Sequence, residues 1–240
     1  MATEVHLEFF GWRRSGLYAN VTDTTLKHGR LRATSTVTLT NELPPNESVL
    51  GDLTFDITGP GDVEALKAGA VIHMVPPPGS VDFEETKCAY VELAEPDLPW
   101  RYTPQLAAGL ALRPWIVLVV GTAQEVTLHA GGRVTLTQTV LAAHDLAASA
   151  RWAHVQDDRD RPGERMVARL LSPRNLNPLT DYVAVVVPAF NSTGALAWTI
   201  ATPQIDLPAL LSWRFRTSTQ GDFPSLASRL RPATPGPDFG

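Results

Sequence analysis

The sequence predicts a mainly β protein, a β-rich α+β fold of two β-rich lobes with a few short helices. Three observations lead there. The 240 residues include 17 Gly and 20 Pro, a turn-rich composition that suits many short strands better than a helical bundle. Most apolar segments are short and alternate with a period of two, which places successive side chains on opposite faces of a strand. Two segments, WIVLVV (115–120) and YVAVVV (182–187), are continuous β-branched and aliphatic runs, as in strands buried on both faces.

In chain order, VHLEFF (5–10) opens as a strand. LRATSTVTLT (31–40) follows, with Val37 and Leu39 on one face and Thr36, Thr38 and Thr40 on the other; DLTFDI (52–57) alternates similarly. GPGDVEALKAG (59–69) predicts a turn and a short helix, with Asp62 near its start and Gly69 as its stop. AVIHMV returns as a strand that three prolines end, and CAYVELA (88–94) is the next strand, with Cys88 expected as an inert core residue. After the strand in 112–122, QEVTLHAGGRVTLTQT (124–139) predicts a hairpin about Gly131-Gly132, a pair suited to positive φ. VLAAHDLAASA (140–150) has helical composition. RWAHVQ and RMVARLLSP flank a polar tip, DDRDRPGE, and the strand in 181–190 comes next. ALAWTIAT and LLSWRFRTS complete the set; in the last, Leu211, Trp213, Phe215 and Thr217 face one way while Arg214 and Arg216 project the other. DFPSLASRL (222–230) predicts a terminal helix with Asp222 as N-cap. The resulting division is an N-terminal lobe at 1–139, a linking helix at 140–150, a C-terminal lobe at 151–232 and an extended tail at 233–240.

Charge is unevenly spread. The net charge is −5, yet residues 41–97 hold twelve acids and two lysines, a net of −10, and the remainder is at +5. Such a split suits contact between unlike regions of two subunits, or of a subunit and a partner. The arginines are dispersed among acids, so nucleic acid is not expected as a partner. No apolar stretch approaches the roughly 20 residues of a membrane helix, and the first residues carry no cleavage signature, so neither a membrane span nor a signal peptide is expected. Cys88 is the single cysteine, which leaves no internal disulfide or cysteine-based zinc site.

The chain carries no nucleophile elbow, phosphate-binding glycine loop, zincin His pair or dinucleotide glycine pattern. DDRDRPGE lacks the oxygen ligands of a calcium loop: counting from Asp158, the fifth position is Pro162 and the twelfth is Arg169. No cofactor, metal site or catalytic residue is expected. The densest cluster of functional side chains is AEPDLPWRYTP (94–104), where Asp97, Arg101 and Tyr102 would be the acid, electrophile and polar group of an enzyme. The prolines fix φ and bias their neighbours toward extended backbone. That favours a stiff strap in which Trp100 and Tyr102 are anchors and Arg101 is free to pair or stack. Trp12, Trp100 and Trp198 would instead line the groove of a carbohydrate- or ligand-binding β-module.

Taken together, LEFFGWRRSGL, the GPGDV turn, VDFEE, DLPWRYTP, LRPWIVLVVGT, ARWAHVQ, RLLSPRNLNPLTDYVAVVVPAF and SWRFRTSTQGDFPSLASRLRP resemble a family of largely uncharacterised bacterial proteins. Genes of that family sit beside those for phage-tail-like, extracellular contractile injection systems. The resemblance spans nearly the whole chain, although many relatives continue beyond the SRLRP block. It implies a structural, non-catalytic component of the baseplate, cap or tail-associated region, located in the cytoplasm within an assembled particle and released by lysis. The implied partners are other protein subunits of the particle and further copies of this chain. The residues expected to make these contacts are Trp100, Arg101, Tyr102, Arg214, Arg216, Arg229, Arg231 and Phe239.

Overall fold

The computed structural model describes residues 6–218 apart from 43, 44, 108, 110, 162 and 165. The expected helix at 222–230, the tail at 233–240 and the contact residues Arg229, Arg231 and Phe239 lie outside the described residues. The fold is β-rich, as composition and alternation predict, and the strands among the described residues form four sheets.

The largest sheet has the order β1-β11-β12-β7-β5, all antiparallel: Leu7–Phe10, Ala153–Asp158, Val167–Leu171, Tyr90–Leu93 and Val71–Val75. A second sheet joins β6 (Phe83–Glu84), β15 (Leu211–Ser218), β13 (Asp181–Pro188) and β8 (Ile116–Thr122). A third orders β14 (Gln204–Pro208), β10 (Arg133–Thr137) and β9 (Val126–His129). The fourth is β2 (Val21–Asp23), β3 (Leu31–Glu42) and β4 (Pro45–Ile57).

The first three sheets each combine strands from both sides of residue 140. The segments read as separate lobes therefore share their sheets, and one apolar cluster runs from Ala70 to Phe215. The physical reason lies in β8 and β13. Each is apolar on both faces, so each needs cover on both sides and a neighbour at its edge. They supply one another, antiparallel from Tyr182–Thr122 to Pro188–Ile116.

At the other edge of β8, side chains meet the backbone: Glu125 accepts the Thr122 N–H (2.8 Å), and His144 meets Val120. His144 is fully buried; its Nε2 accepts the Val120 N–H (3.2 Å) and lies 3.0 Å from Ser172 Oγ. Its Nδ1–H then donates to the Val140 carbonyl (2.8 Å). This interrupts the helix expected over 140–150. The segment becomes a short helix α2 (Gln138–Ala143) and a 3-10 turn (Leu146–Arg151), broken where His144 leaves helical geometry to send its ring inward. Asp145 starts the second piece by accepting the Ala147 N–H (3.0 Å).

Other expectations change for local reasons. The helix expected in 59–69 is only a 3-10 turn, Pro60–Asp62. Asp62 instead binds Arg30 (3.1 Å) and the Gly59 N–H (3.1 Å), which fastens the turn to the start of β3. ALAWTIAT is not a strand: Leu196 makes one isolated bridge to Phe190, and the pairing strand is β14. Trp198 explains the difference, since its buried indole donates to the His144 carbonyl (2.9 Å) and draws the backbone into a loop. Cys88 is exposed, two residues before β7, rather than in the core. The hairpin about Gly131 and Gly132 forms as expected, with Arg133 opposite His129 and both glycines at positive φ.

Candidate protein-contact surfaces

The 94–104 segment is a packed junction. Its centre is one helical turn, α1 (Leu98–Arg101), rather than extended chain; Pro99 sits in the first turn, where its fixed φ suits a helix and its missing N–H costs nothing. Trp100 is fully buried and donates its indole N–H to the Leu112 carbonyl (3.0 Å). Trp115 donates to the Leu98 carbonyl (2.6 Å), so the turn is bolted to the segment leading into β8. Trp100 is therefore a core residue and does not present a contact surface, because the junction consumes both its apolar face and its polar atom.

Asp97 and Arg101 satisfy each other. Arg101 bonds Asp97 through two nitrogens (3.1 and 2.5 Å) and reaches Glu95 (2.5 Å), while the Ser15 hydroxyl donates to Asp97 (2.7 Å). Burial pushes the Asp97 carboxyl up, but the bonds from Arg101 and Ser15 outweigh it and hold the group below its ordinary range. Arg14, beside them, donates to the Trp100 (3.0 Å) and Thr103 carbonyls at the end of α1. Burial lowers its pKa to about 10. Tyr102 is half-buried between Tyr18 and Trp115, with ring centroids 5.5 and 5.0 Å away. A crevice of about 130 Å³ reaches Arg101 and Tyr102, and no histidine lines it. Trp198 is buried as well, so of the three indoles considered for a binding groove only Trp12 is partly exposed.

Arg214 and Arg216 project from β15 as the alternation predicts, while Trp213, Phe215 and Thr217 are buried. Arg216 pairs with Asp181 (2.6 Å). Arg214 is exposed and has no ion pair among the described residues. Beside them opens a cleft of about 230 Å³ whose walls include Val81, Tyr182, Val183 and Phe215. Val81, on its rim, is 69% exposed.

The most prominent surface is one that residue-by-residue reading missed. β3 and β4 form a long arm, paired from Leu31–Ile57 toward the turn, with a bulge between Val37 and Thr38. At its base Leu31 and Ala33 are fully buried. Outward, Leu39, Leu50 and Leu53 are 57, 65 and 52% exposed, and Phe55 is 37% exposed. Directly paired residues share a face, so Ala33, Phe55, Leu53 and Val37 form an apolar side. The opposite side is polar: Arg32 pairs with Asp56 (2.8 Å), and the Thr36 hydroxyl donates to Asp52 (2.7 Å). The substantial contacts of the arm are internal or with β2 and the 3-10 turn Gly16–Asn20.

Among the described residues no group of His, Cys, Asp and Glu could hold a metal ion, and no helix is long and apolar enough to cross a membrane. In the polar tip 157–164, Asp158 and Asp157 accept backbone N–H groups from Asp160 (3.0 Å) and Gly163 (3.1 Å). Comparison with family models, curated proteins and solved structures finds no match.

Proposed function

We propose that this protein is a non-catalytic structural component of a phage-tail-like contractile injection particle, in its baseplate, cap or tail-associated region. It acts there through contacts with other protein subunits. The particle context rests on the family resemblance of the segments quoted above. Within the fold, the observation that carries a contact role is the apolar side of the β3–β4 arm. A two-stranded ribbon is marginal alone in water, and burying each exposed leucine on it is worth about 1.5–3 kcal/mol. A further protein subunit supplies that cover. The closed Asp97–Arg101–Ser15 network agrees with this reading, because it spends the best candidate catalytic groups on holding the N-terminal segment to α1.

The test is negative-stain microscopy of particles from a strain lacking this gene. Incomplete or non-contractile particles are expected. Fully assembled, contractile particles would overturn the assignment.

A further inference from the structure

The middle of the arm, at its bulge, carries an exposed leucine and an acid, and the cleft beside β15 offers apolar walls and an arginine without an ion pair among the described residues. Leu50 is the most exposed of the arm's described leucines, and Gly51, at φ 128°, follows it at the bulge. Asp52 lies two residues along the same strand, about 7 Å away. Residues 31–57 hold one arginine and four acids, so the arm is acidic as a whole. The cleft, at about 230 Å³, exceeds the roughly 150 Å³ that accommodates a benzene-sized group, so it has room for a leucine side chain. Its walls are largely apolar, and Arg214 stands on it without an ion pair among the described residues. Arg216, the neighbouring cation, is already neutralised by Asp181.

The charge distribution selects the occupant. Contact between two arms would set acid against acid, because residues 31–57 hold four acids and one arginine. Contact between the arm of one copy and the β15 side of another brings opposite charges together. We propose that the arm of one copy docks into the β15 cleft of a second copy, with Leu50 as the buried knob and Asp52 paired to Arg214. The contact joins unlike patches, so it is heterologous and repeats head to tail, closing into a ring or extending into a stack. The inference rests on the reading of the chain as an assembly component, but its test needs no particle.

Sedimentation velocity of the purified full chain over a range of concentrations provides the test. One variant disables the arm, Leu50→Ser with Asp52→Asn; another disables the cleft, Arg214→Asp. All three sites are exposed, and circular dichroism checks that each variant remains folded. Self-association of the wild type is expected, with each variant weakened about tenfold or more. Mixing the two variants should restore association only as far as a 1:1 dimer, since one intact arm and one intact cleft remain. A wild type that stays monomeric at every concentration overturns the proposal. So do variants that associate like the wild type, or a mixture that yields no dimer. None of these results bears on the particle phenotype, so the two readings fail separately.

Discussion

His144 makes the stability of this protein depend on pH over a defined window. Burial lowers the pKa of its imidazole from 6.5 to about 4, because the ring is fully enclosed and Nε2 is occupied by the Val120 N–H. The folded state therefore resists protonation between these values, whereas the unfolded chain accepts a proton there. The unfolded state binds more protons, so stability is complete above pH 6.5 and falls as the pH drops toward 4. A shift of this size corresponds to about 3 kcal/mol. Replacing the ring by His144→Gln removes the titrating group and leaves a polar side chain to meet Val120. Urea unfolding of both proteins between pH 7.5 and about pH 4 is the assay. The wild type should lose about 3 kcal/mol more than the variant, a relative midpoint shift on the order of 1–2 M urea. Acidic groups such as Asp97 and Glu125 also weaken the fold in acid, but they do so in both proteins, so the difference isolates the imidazole. Parallel pH profiles for the two proteins would refute the reasoning.

Trp100→Ala should cost about 3–5 kcal/mol in urea unfolding, since it leaves a cavity and removes the donor to the Leu112 carbonyl. A loss below about 1 kcal/mol would mean that the junction is not packed. Asp97→Asn should cost about 2 kcal/mol, less than the 3–5 of a fully buried pair because Glu95 keeps hold of Arg101. The Asp97 pKa is depressed, so this cost is present at neutral pH and should shrink as the pH falls through the folded pKa; a gap constant with pH would contradict it. Cys88 should react stoichiometrically with a maleimide in the folded protein, read by intact mass, because its side chain is exposed. Reaction only after denaturation would place it in the core.

Local pattern made much of the secondary structure legible, and pairing was the part it concealed. Gly131-Gly132 marks the hairpin because the turn chemistry and both strands lie within fifteen residues. The buried runs in 116–122 and 181–188 announce themselves by composition, yet nothing in either names the other as its neighbour. His144 illustrates the harder case. Nothing in the helical sequence around it signals burial, and its inward turn is explained by the Val120 N–H that it meets at the edge of β8. Trp198 and β14 show the same competition, with a single indole bond shifting a strand several residues along the chain. For the contact surface, the projection of Arg214 and Arg216 follows from alternation alone. The apolar side of the arm does not, because Leu39, Leu53 and Phe55 carry the signature of core-facing residues and exposure depends on what lies opposite.

The interleaving of strands across residue 140 also governs how the chain reaches its native state. During synthesis β8 emerges from the ribosome well before β13, its partner, exists. Until then a wholly apolar strand has no mate, and β1 likewise waits for β11. Productive folding is thus deferred until the last third of the polypeptide is made, and a nascent fragment ending near residue 140 presents a sticky, unmated β8 to every other fragment around it.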